Sequence, residues 1–197
     1  MKAATALAPP ILAVCFDWGG TLMIDDGPDG VPMAQWPTVA AVDGAAACLA
    51  ALHGLVPLYV ATNAAASSRT MIQHALQRVD LLRFVSGVCC FTEIGFRKNQ
   101  PEFWHSVSQL TDVPLRHIAM VGDSLENDVL APRRLGVQAV WFNPSGQQSA
   151  TPVPTITSLP SFADLVVRTG VARDRCDTPM PHTPTLPPGQ PKHGQDG

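Results

Sequence analysis

Five short apolar runs alternate along the chain with longer segments of helical periodicity. The runs are ILAVCF at 11–16, LVPLYVAT at 55–62, VSGVCCF at 85–91, HIAMVGD at 117–123 and VQAVWFN at 137–143. Each run is rich in β-branched or other apolar residues and too short for a full helix, so each predicts a β-strand. Several are apolar at consecutive positions, which is typical of strands in a sheet that is covered on both faces.

Four segments between or after these runs predict helices, at 39–52, 67–82, 101–110 and 126–135. Ser67 or Ser68 is suited to cap the second helix, and Pro101 is suited to the first turn of the third. Strands that alternate with helices are joined by right-handed crossovers, which produce a parallel sheet with helices on both faces. We therefore expect an α/β fold, a doubly wound parallel sheet of the Rossmann-like type, with its ligand site at the carboxyl ends of the strands.

The length of 197 residues suits one domain with a single core. Residues 21–37 are rich in Asp, Gly and Pro and predict a loop or small flap over the site. Residues 169–197 are dense in Pro and Gly with few large apolar residues, a composition that favours disorder. We expect a folded core over 1–168 and a disordered tail over 169–197.

Composition narrows the classes of partner and location. A hydrophobic fraction of 46% and a charged fraction of 15% indicate a folded chain. A formal net charge of −3 gives no electrostatic reason to expect nucleic acid or an anionic membrane as a partner, and no apolar run approaches the roughly 20 residues that cross a bilayer. The five cysteines lack metal-like or disulfide-like spacing, which favours a reducing compartment, and we expect the cytoplasm.

Polar residues that are suited to catalysis or ligand binding follow the predicted strands. Asp17 comes directly after the first strand, in FDWGGTL, and Thr62 and Asn63 come at the end of LYVATN. Asp123 and Asp128 lie in MVGDSLENDV, and Lys98 lies in GFRKNQPEFW.

These residue types together point to phosphoryl transfer. A carboxylate can attack phosphorus and form an acyl-phosphate. Several carboxylates in one pocket repel one another unless a cation neutralises them, and hard oxygen ligands favour Mg²⁺. A lysine and a hydroxyl supply donors to the charged phosphoryl oxygens, which matters because phosphoryl transfer depends mainly on positioning and charge stabilisation.

The four segments, in this order and spacing, resemble the four signature motifs of the haloacid dehalogenase superfamily, over roughly residues 11–167. The resemblance implies that Asp17 is the nucleophile. It also implies that Thr62, with Asn63 beside it, binds the phosphoryl group, and that Lys98 pairs with both that group and Asp17.

The same resemblance implies a magnesium site. Asp123 and Asp128 would hold Mg²⁺ directly or through water, together with Asp17 and the backbone carbonyl of Gly19. For Asp128 a second role is open, because it is equally suited to orienting Lys98.

Gly19 departs from the phosphatase pattern, which has a second aspartate at this position. That aspartate protonates the leaving oxygen and later activates water, a contribution of about 10²–10⁴ in rate.

The run DWGGT is also similar to the DWAGT run of phosphonoacetaldehyde hydrolases, but those enzymes need a lysine on a cap domain. Residues 21–37 are too few for a cap domain and contain no lysine. Haloacid dehalogenases proper work without metal and do not keep the acidic pair of the fourth motif.

The short spacers indicate a member without a cap domain, whose open site accepts a small or larger phosphorylated substrate or is covered by a neighbouring subunit. Two functions remain open. One is a magnesium-dependent phosphohydrolase that is weak or selective for good leaving groups. The other is a nearly inactive relative that binds a phosphorylated ligand or protein partner. Gly19 favours the second, and the joint presence of Asp17, Lys98 and Asp123 favours the first.

Overall fold

Six parallel strands form one sheet in the computed structural model, which describes residues 7–171. The strands are β1 (Ala13–Phe16), β2 (Leu58–Thr62), β3 (Gly87–Cys90), β4 (Ile118–Gly122), β5 (Gln138–Phe142) and β6 (Thr155–Ile156). Their order across the sheet is β3-β2-β1-β4-β5-β6. All five predicted strands are present, and the two-residue β6, too short to produce a periodic pattern, was not predicted.

Helices connect the strands. They are α1 (Ala45–Leu52), α2 (Arg69–Arg78), α3 (Phe91–Ile94), α4 (Pro101–Thr111), α5 (Ala131–Arg134) and α6 (Leu159–Thr169), and a π-helical segment, Leu125–Leu130, leads into α5. Ser68 caps α2, where its hydroxyl accepts a hydrogen bond from Met71 N, and Pro101 occupies the first turn of α4, both as predicted. No helix within residues 7–171 is long and apolar enough to cross a membrane.

The predicted helix over 39–52 begins later than expected. Ala41 pairs with Met23 in an antiparallel bridge, so the chain is extended there. Gly44, at the start of α1, has a left-handed φ of 78°, and a Cβ on it would lie 2.7 Å from Pro160 Cδ in α6. The close packing of α1 and α6 and this left-handed backbone together confine the helix to Ala45–Leu52. The predicted helix over 67–82 likewise ends at Arg78, shortly before Asp80 with a φ of 60°.

Helix α6 was not predicted, although its sequence contains the signal. Leu159, Phe162, Ala163 and Val166 are all buried, at the spacing that places side chains on one face of a helix. Val171, two residues beyond α6, pairs with Ile11 next to β1. Residues 169–171 of the predicted tail therefore pack on the domain, and 172–197 lie outside the described residues.

Both faces of the sheet are covered, as the consecutive apolar positions predicted. Val14 and Phe16 of β1 face one buried cluster, to which α1, α2 and α6 contribute. Ala13 and Cys15 face the other, which contains residues of α4. In the sheet register Phe16 is opposite Val60 of β2 and Val121 of β4. Strands β1, β2 and β4 therefore end at the same edge, where their following loops converge.

Candidate active site

A cleft of about 500 Å³ lies at this carboxyl edge of the sheet. Its lining includes every side chain or loop residue that the sequence predicted for the site: Asp17, Gly19, Thr62, Asn63, Lys98, Asp123 and Asp128. The segment predicted as a flap also lines the cleft, with residues between Asp25 and Trp36.

The position of Asp17 is fixed by the end of β1. The backbone N–H of Asp17 donates to Val121 O on β4 at 2.9 Å, and Asp17 is only 6% exposed. The chain then turns tightly, because the N–H groups of Leu22 and Met23 both donate to Trp18 O. A short strand followed by this turn presents a carboxylate at the base of the cleft.

Lys98 is buried between two carboxylates. Its ammonium forms ion pairs with Asp17 Oδ1 and with Asp128 Oδ1, the second at 2.6 Å, and donates to Ala61 O at 3.1 Å. Burial lowers the pKa of Lys98, but the charges and hydrogen bonds of the two carboxylates more than offset this, so the pKa is raised well above its ordinary value. Lys98 therefore remains an ammonium.

Hydrogen bonds also hold the backbone of Lys98 in place. Its N–H donates to Asn63 Oδ1 at 2.8 Å, and its carbonyl accepts from the buried Trp104 Nε1 at 2.7 Å. Asn63, predicted to bind phosphate, thus also ties the end of β2 to the Lys98 loop. The side chain of Thr62 accepts from Ala64 N at 3.1 Å, which leaves its hydroxyl proton available to a ligand in the cleft.

Three carboxylates converge beside Lys98. Asp17, Asp123 and Asp128, here called the acidic triad, each offer one oxygen within 4.8 Å of the others. Burial and the Asp17 charge raise the pKa of Asp123 to about 6. Burial also raises the pKa of Asp128, while Lys98 acts in the opposite direction.

The acidic triad suits a hard divalent cation. Its three carboxylates are the oxygen ligands that Mg²⁺ accepts, and a cation would offset both the burial and the Asp17 charge that raise the pKa of Asp123. Asp128 is fully buried and paired with Lys98, so the structure is compatible with both roles that the sequence left open for it.

Thr21 is a site residue to which the sequence reasoning assigned no role. Its Oγ1 lies 3.3 Å from both Asp17 Oδ2 and Asp123 Oδ1 and accepts from Asp123 N at 3.2 Å. The hydroxyl therefore joins the loop after β1 to the loop after β4. Its place in FDWGGTL was the available signal, but its partner lies 102 residues away, and the sequence does not specify that contact.

Glycines at 19 and 20 leave room for two carboxylates. Gly20 has a φ of 79°, and a Cβ on it would lie 2.5 Å from Asp123 Oδ2. A Cβ on Gly19 would lie 2.5 Å from Oδ2 of Asp25, a residue that the sequence reasoning did not single out. Partial burial, followed by the charges of Asp17 and two neighbouring aspartates, raises the pKa of Asp25.

The flap segment is anchored to α2. The guanidinium of Arg78 donates to the carbonyls of Ala34, Trp36 and Pro37 at 3.3, 2.8 and 2.9 Å, respectively. Trp36 is buried, and its Nε1 donates to Val31 O within the flap. The flap segment that lines part of the cleft is therefore held in place by hydrogen bonds from α2.

Comparison with known proteins gives a family and a fold. The family model for haloacid dehalogenase-like hydrolases matches residues 37–136, just over half of the chain. The matched range contains Thr62, Lys98, Asp123 and Asp128 and begins beyond Asp17. A search of curated proteins gave no match.

Three solved structures illustrate the fold. An uncharacterised protein from Listeria monocytogenes serotype 4b is 19% identical with a TM-score of 0.72, covering 81% of this chain and 98% of its own. The HAD-hydrolase YfnB from Bacillus subtilis, bound to magnesium, is 16% identical with a TM-score of 0.64, covering 80% and 99%. A HAD phosphatase from Thermococcus onnurineus is 21% identical with a TM-score of 0.58, covering 65% and 59%. Other similar structures are of dehalogenases.

Proposed function

The chain belongs to the haloacid dehalogenase-like hydrolase family, and we propose that it is a magnesium-dependent phosphohydrolase that works through an aspartyl-phosphate intermediate. The observation that most supports this is the buried Lys98 ammonium, which bridges Asp17 and Asp128 at the base of the cleft. A lysine held in this way fixes the orientation of the Asp17 carboxylate, as in-line attack by a nucleophile requires. It also leaves a cation where phosphoryl oxygens would lie.

In the first half-reaction an oxygen of Asp17 attacks the phosphorus of a phosphate monoester, and the bond from phosphorus to the leaving oxygen breaks. Lys98 and the Thr62 hydroxyl donate hydrogen bonds to the phosphoryl oxygens, with Asn63 at the same end of β2. In the second half-reaction water attacks the phosphorus of the acyl-phosphate, which releases inorganic phosphate and the Asp17 carboxylate. The chain's groups act mainly by position and charge, as phosphoryl transfer requires.

The residues that would hold Mg²⁺ are Asp17, Asp123 and Asp128, with the carbonyl of Gly19 on the adjoining loop. When bound, the ion neutralises the acidic triad and the phosphoryl oxygens. Two similar proteins support this choice, since one is bound to magnesium and one is a phosphatase. The dehalogenases among the similar structures share the fold, and the acidic triad favours metal-assisted chemistry for this chain.

The open cleft favours a phosphorylated small molecule or a larger phosphorylated substrate, and a second copy of the chain is a candidate to cover it. One observation favours a second function, the binding of a phosphorylated ligand without turnover. Residue 19 is glycine and provides no carboxyl group of its own to move protons.

The test is the response to beryllium fluoride, which with Mg²⁺ mimics an aspartyl-phosphate. The wild-type protein should gain thermal stability in Mg²⁺ with beryllium fluoride by mass action. It should also hydrolyse some member of a panel of aryl and alkyl phosphates. Asp17→Asn should remove both effects, because an amide cannot act as the nucleophile.

Asp164→Asn is the matched control, because Asp164 is exposed on α6 away from the cleft and its loss should change neither readout. Unchanged turnover in Asp17→Asn would refute the mechanism. A wild-type protein that is stabilised by beryllium fluoride but hydrolyses no phosphate ester would favour the binding function.

A further inference from the structure

The carboxylate of Asp25 occupies the space that a side chain on residue 19 would fill. A Cβ built on Gly19 would lie 2.5 Å from Asp25 Oδ2, 3.0 Å from its carboxyl carbon and 3.2 Å from its Cβ. From standard bond lengths, a carboxyl oxygen of an aspartate lies about 2.4 Å from that residue's own Cβ. One oxygen of Asp25 therefore lies at the distance from residue 19 that an aspartate's own carboxyl oxygen would have.

The backbone brings Asp25 back to this place. After the turn at Trp18, Met23 pairs with Gly19 in a bridge, and Gly20 N–H donates to Met23 O at 2.8 Å. Ile24 N–H then donates to Ala40 O, which fixes the chain one residue before Asp25. The position of the carboxylate thus follows from paired backbone on both sides of the turn.

Three other ionisable groups near Asp17 are already engaged. Lys98 is paired with Asp17 and Asp128, and Asp128 also accepts from Ser124 N at 2.9 Å. Asp123 belongs to the acidic triad and faces Thr21. Asp25 lines the same cleft, outside the acidic triad and beside the nucleophile's own loop, and its side chain is open to solvent for proton exchange.

We propose that Asp25 is the proton donor and acceptor of the reaction, in the place of the carboxyl group that residue 19 lacks. This rests on the proposed phosphohydrolase function. In the first half-reaction Asp17 forms its bond to phosphorus, the ester P–O bond breaks, and the leaving oxygen takes the bonding pair and the proton of Asp25, giving an alcohol. In the second, the attacking water gives its proton to the Asp25 carboxylate as the P–O bond to Asp17 breaks.

The proposal changes what is expected of the substrate. The sequence predicted a weak enzyme, or one selective for good leaving groups, because Gly19 cannot protonate an alcohol. With Asp25 as the donor, esters of ordinary alcohols are substrates as well. Glycine at 19 is then required by close approach, since a side chain there would collide with Asp25.

The test compares Asp25→Asn with wild type on 4-nitrophenyl phosphate, whose leaving group needs no proton, and on glycerol 2-phosphate, whose leaving group does. For the variant, kcat/KM on glycerol 2-phosphate should fall by about 10²–10⁴-fold, the usual contribution of a positioned acid. On 4-nitrophenyl phosphate kcat/KM should change little, but kcat should fall with a burst of nitrophenol equal to the enzyme concentration, because water attack on the acyl-phosphate lacks its base.

Asp26→Asn is the matched control. Asp26 is the exposed neighbour of Asp25 and does not line the cleft, so its substitution should produce neither the selective loss on glycerol 2-phosphate nor the burst. A merely structural role for Asp25 would lower kcat/KM on both esters alike and would produce no burst.

Relocating the carboxyl group gives an independent check. Gly19→Asp combined with Asp25→Ala places one carboxyl group back on residue 19, where the backbone is not in the left-handed region. This double variant should recover glycerol 2-phosphate turnover that Asp25→Ala alone loses. Gly19→Asp alone should gain nothing, because two carboxylates would compete for one place.

Three outcomes would overturn the proposal. If wild type cleaves 4-nitrophenyl phosphate but not glycerol 2-phosphate, no group donates the proton and the phosphohydrolase function alone stands. If Asp25→Asn behaves as wild type on both esters, the donor is another residue. The same follows if the loss appears instead in Asp29→Asn, at the other flap aspartate that lines the cleft. If wild type cleaves neither ester nor any other phosphate, both proposals fail together.

Discussion

At the scale of single residues, the site concentrates negative charge that the folded chain only partly neutralises. Lys98 is the one cation among the cleft-lining residues that the structure describes, and it faces Asp17 and Asp128. Asp123 has the Thr21 hydroxyl as its partner, and within residues 7–171 no basic side chain lies at ion-pair distance from it. Burial and then the charge of Asp17 raise the pKa of Asp123, and no neighbouring cation offsets them among the described residues.

This leads to a prediction about pH. The pKa of Asp123 is about 6 in the folded protein, against about 3.9 for an unfolded aspartate. Between pH 4 and pH 6 the folded state therefore binds more protons, and the free energy of unfolding contributed by Asp123 falls as pH rises. Thermal melts in EDTA across this range should show a steeper loss of Tm for wild type than for Asp123→Asn. Parallel curves for the two proteins would contradict the assignment.

At the scale of elements, the site is held by contacts that cross from one element to another. Trp104 on α4 donates to the Lys98 carbonyl, and Trp141 on β5 donates from its Nε1 to the Asp123 carbonyl at 2.8 Å. Buried indoles thus fix two loops that bear site residues. On the other face of the sheet, α6 packs on α1, and Phe162 meets Phe16 edge to face with ring centroids 5.7 Å apart.

The contact of α6 with β1 gives a stability prediction. Phe162 is fully buried beside Phe16, the residue that precedes Asp17, so Phe162→Ala should lower the free energy of unfolding by about 3–5 kcal/mol. Val167→Ala on the same helix is the control, because Val167 is 49% exposed and should cost little. Urea denaturation measures both. Equal, small losses would mean that α6 does not cover the sheet.

At the scale of the whole molecule, the acidic triad exists only in the folded chain. Asp17 and Asp123 follow neighbouring strands, β1 and β4, that are far apart in sequence. A cation that binds this triad binds the folded state alone, so it raises the free energy of unfolding by an amount that grows with the logarithm of its concentration over its Kd.

The predicted result is a magnesium-dependent melting temperature. Mg²⁺ at 100 times its Kd should add about 2.7 kcal/mol to the free energy of unfolding, and EDTA should reverse the gain. Asp123→Ala should weaken Mg²⁺ binding in a calorimetric titration while the apo fold remains intact, because Asp123 lies directly after β4 and outside the apolar core. The distant Asp164→Ala should bind Mg²⁺ as wild type does. Equal affinity in Asp123→Ala would exclude it as a ligand.

Much of the fold could be predicted from the sequence because the relevant signals are local. Apolar runs specified β1 to β5, and alternation with helices specified a parallel sheet covered on both faces. A parallel sheet brings the carboxyl ends of its strands to one edge, so Asp17, Thr62 and Asp123 could be assigned to one site. The helix over 39–52 was predicted too long, because the packing of Gly44 against Pro160 is not a local signal.

The tertiary structure alone decided how the charges of the site are shared. The sequence placed Lys98 and Asp128 in the same site, but only the folded chain pairs them and buries both. From the sequence, glycine at 19 indicated that the site lacks a carboxyl group at this position. In the folded chain the carboxylate of Asp25 occupies the space that a side chain on residue 19 would fill. The physical reason is that the sequence specifies only which residue type stands at each position. The distances between side chains depend on turns and strand register, which bring together residues that are far apart in the chain.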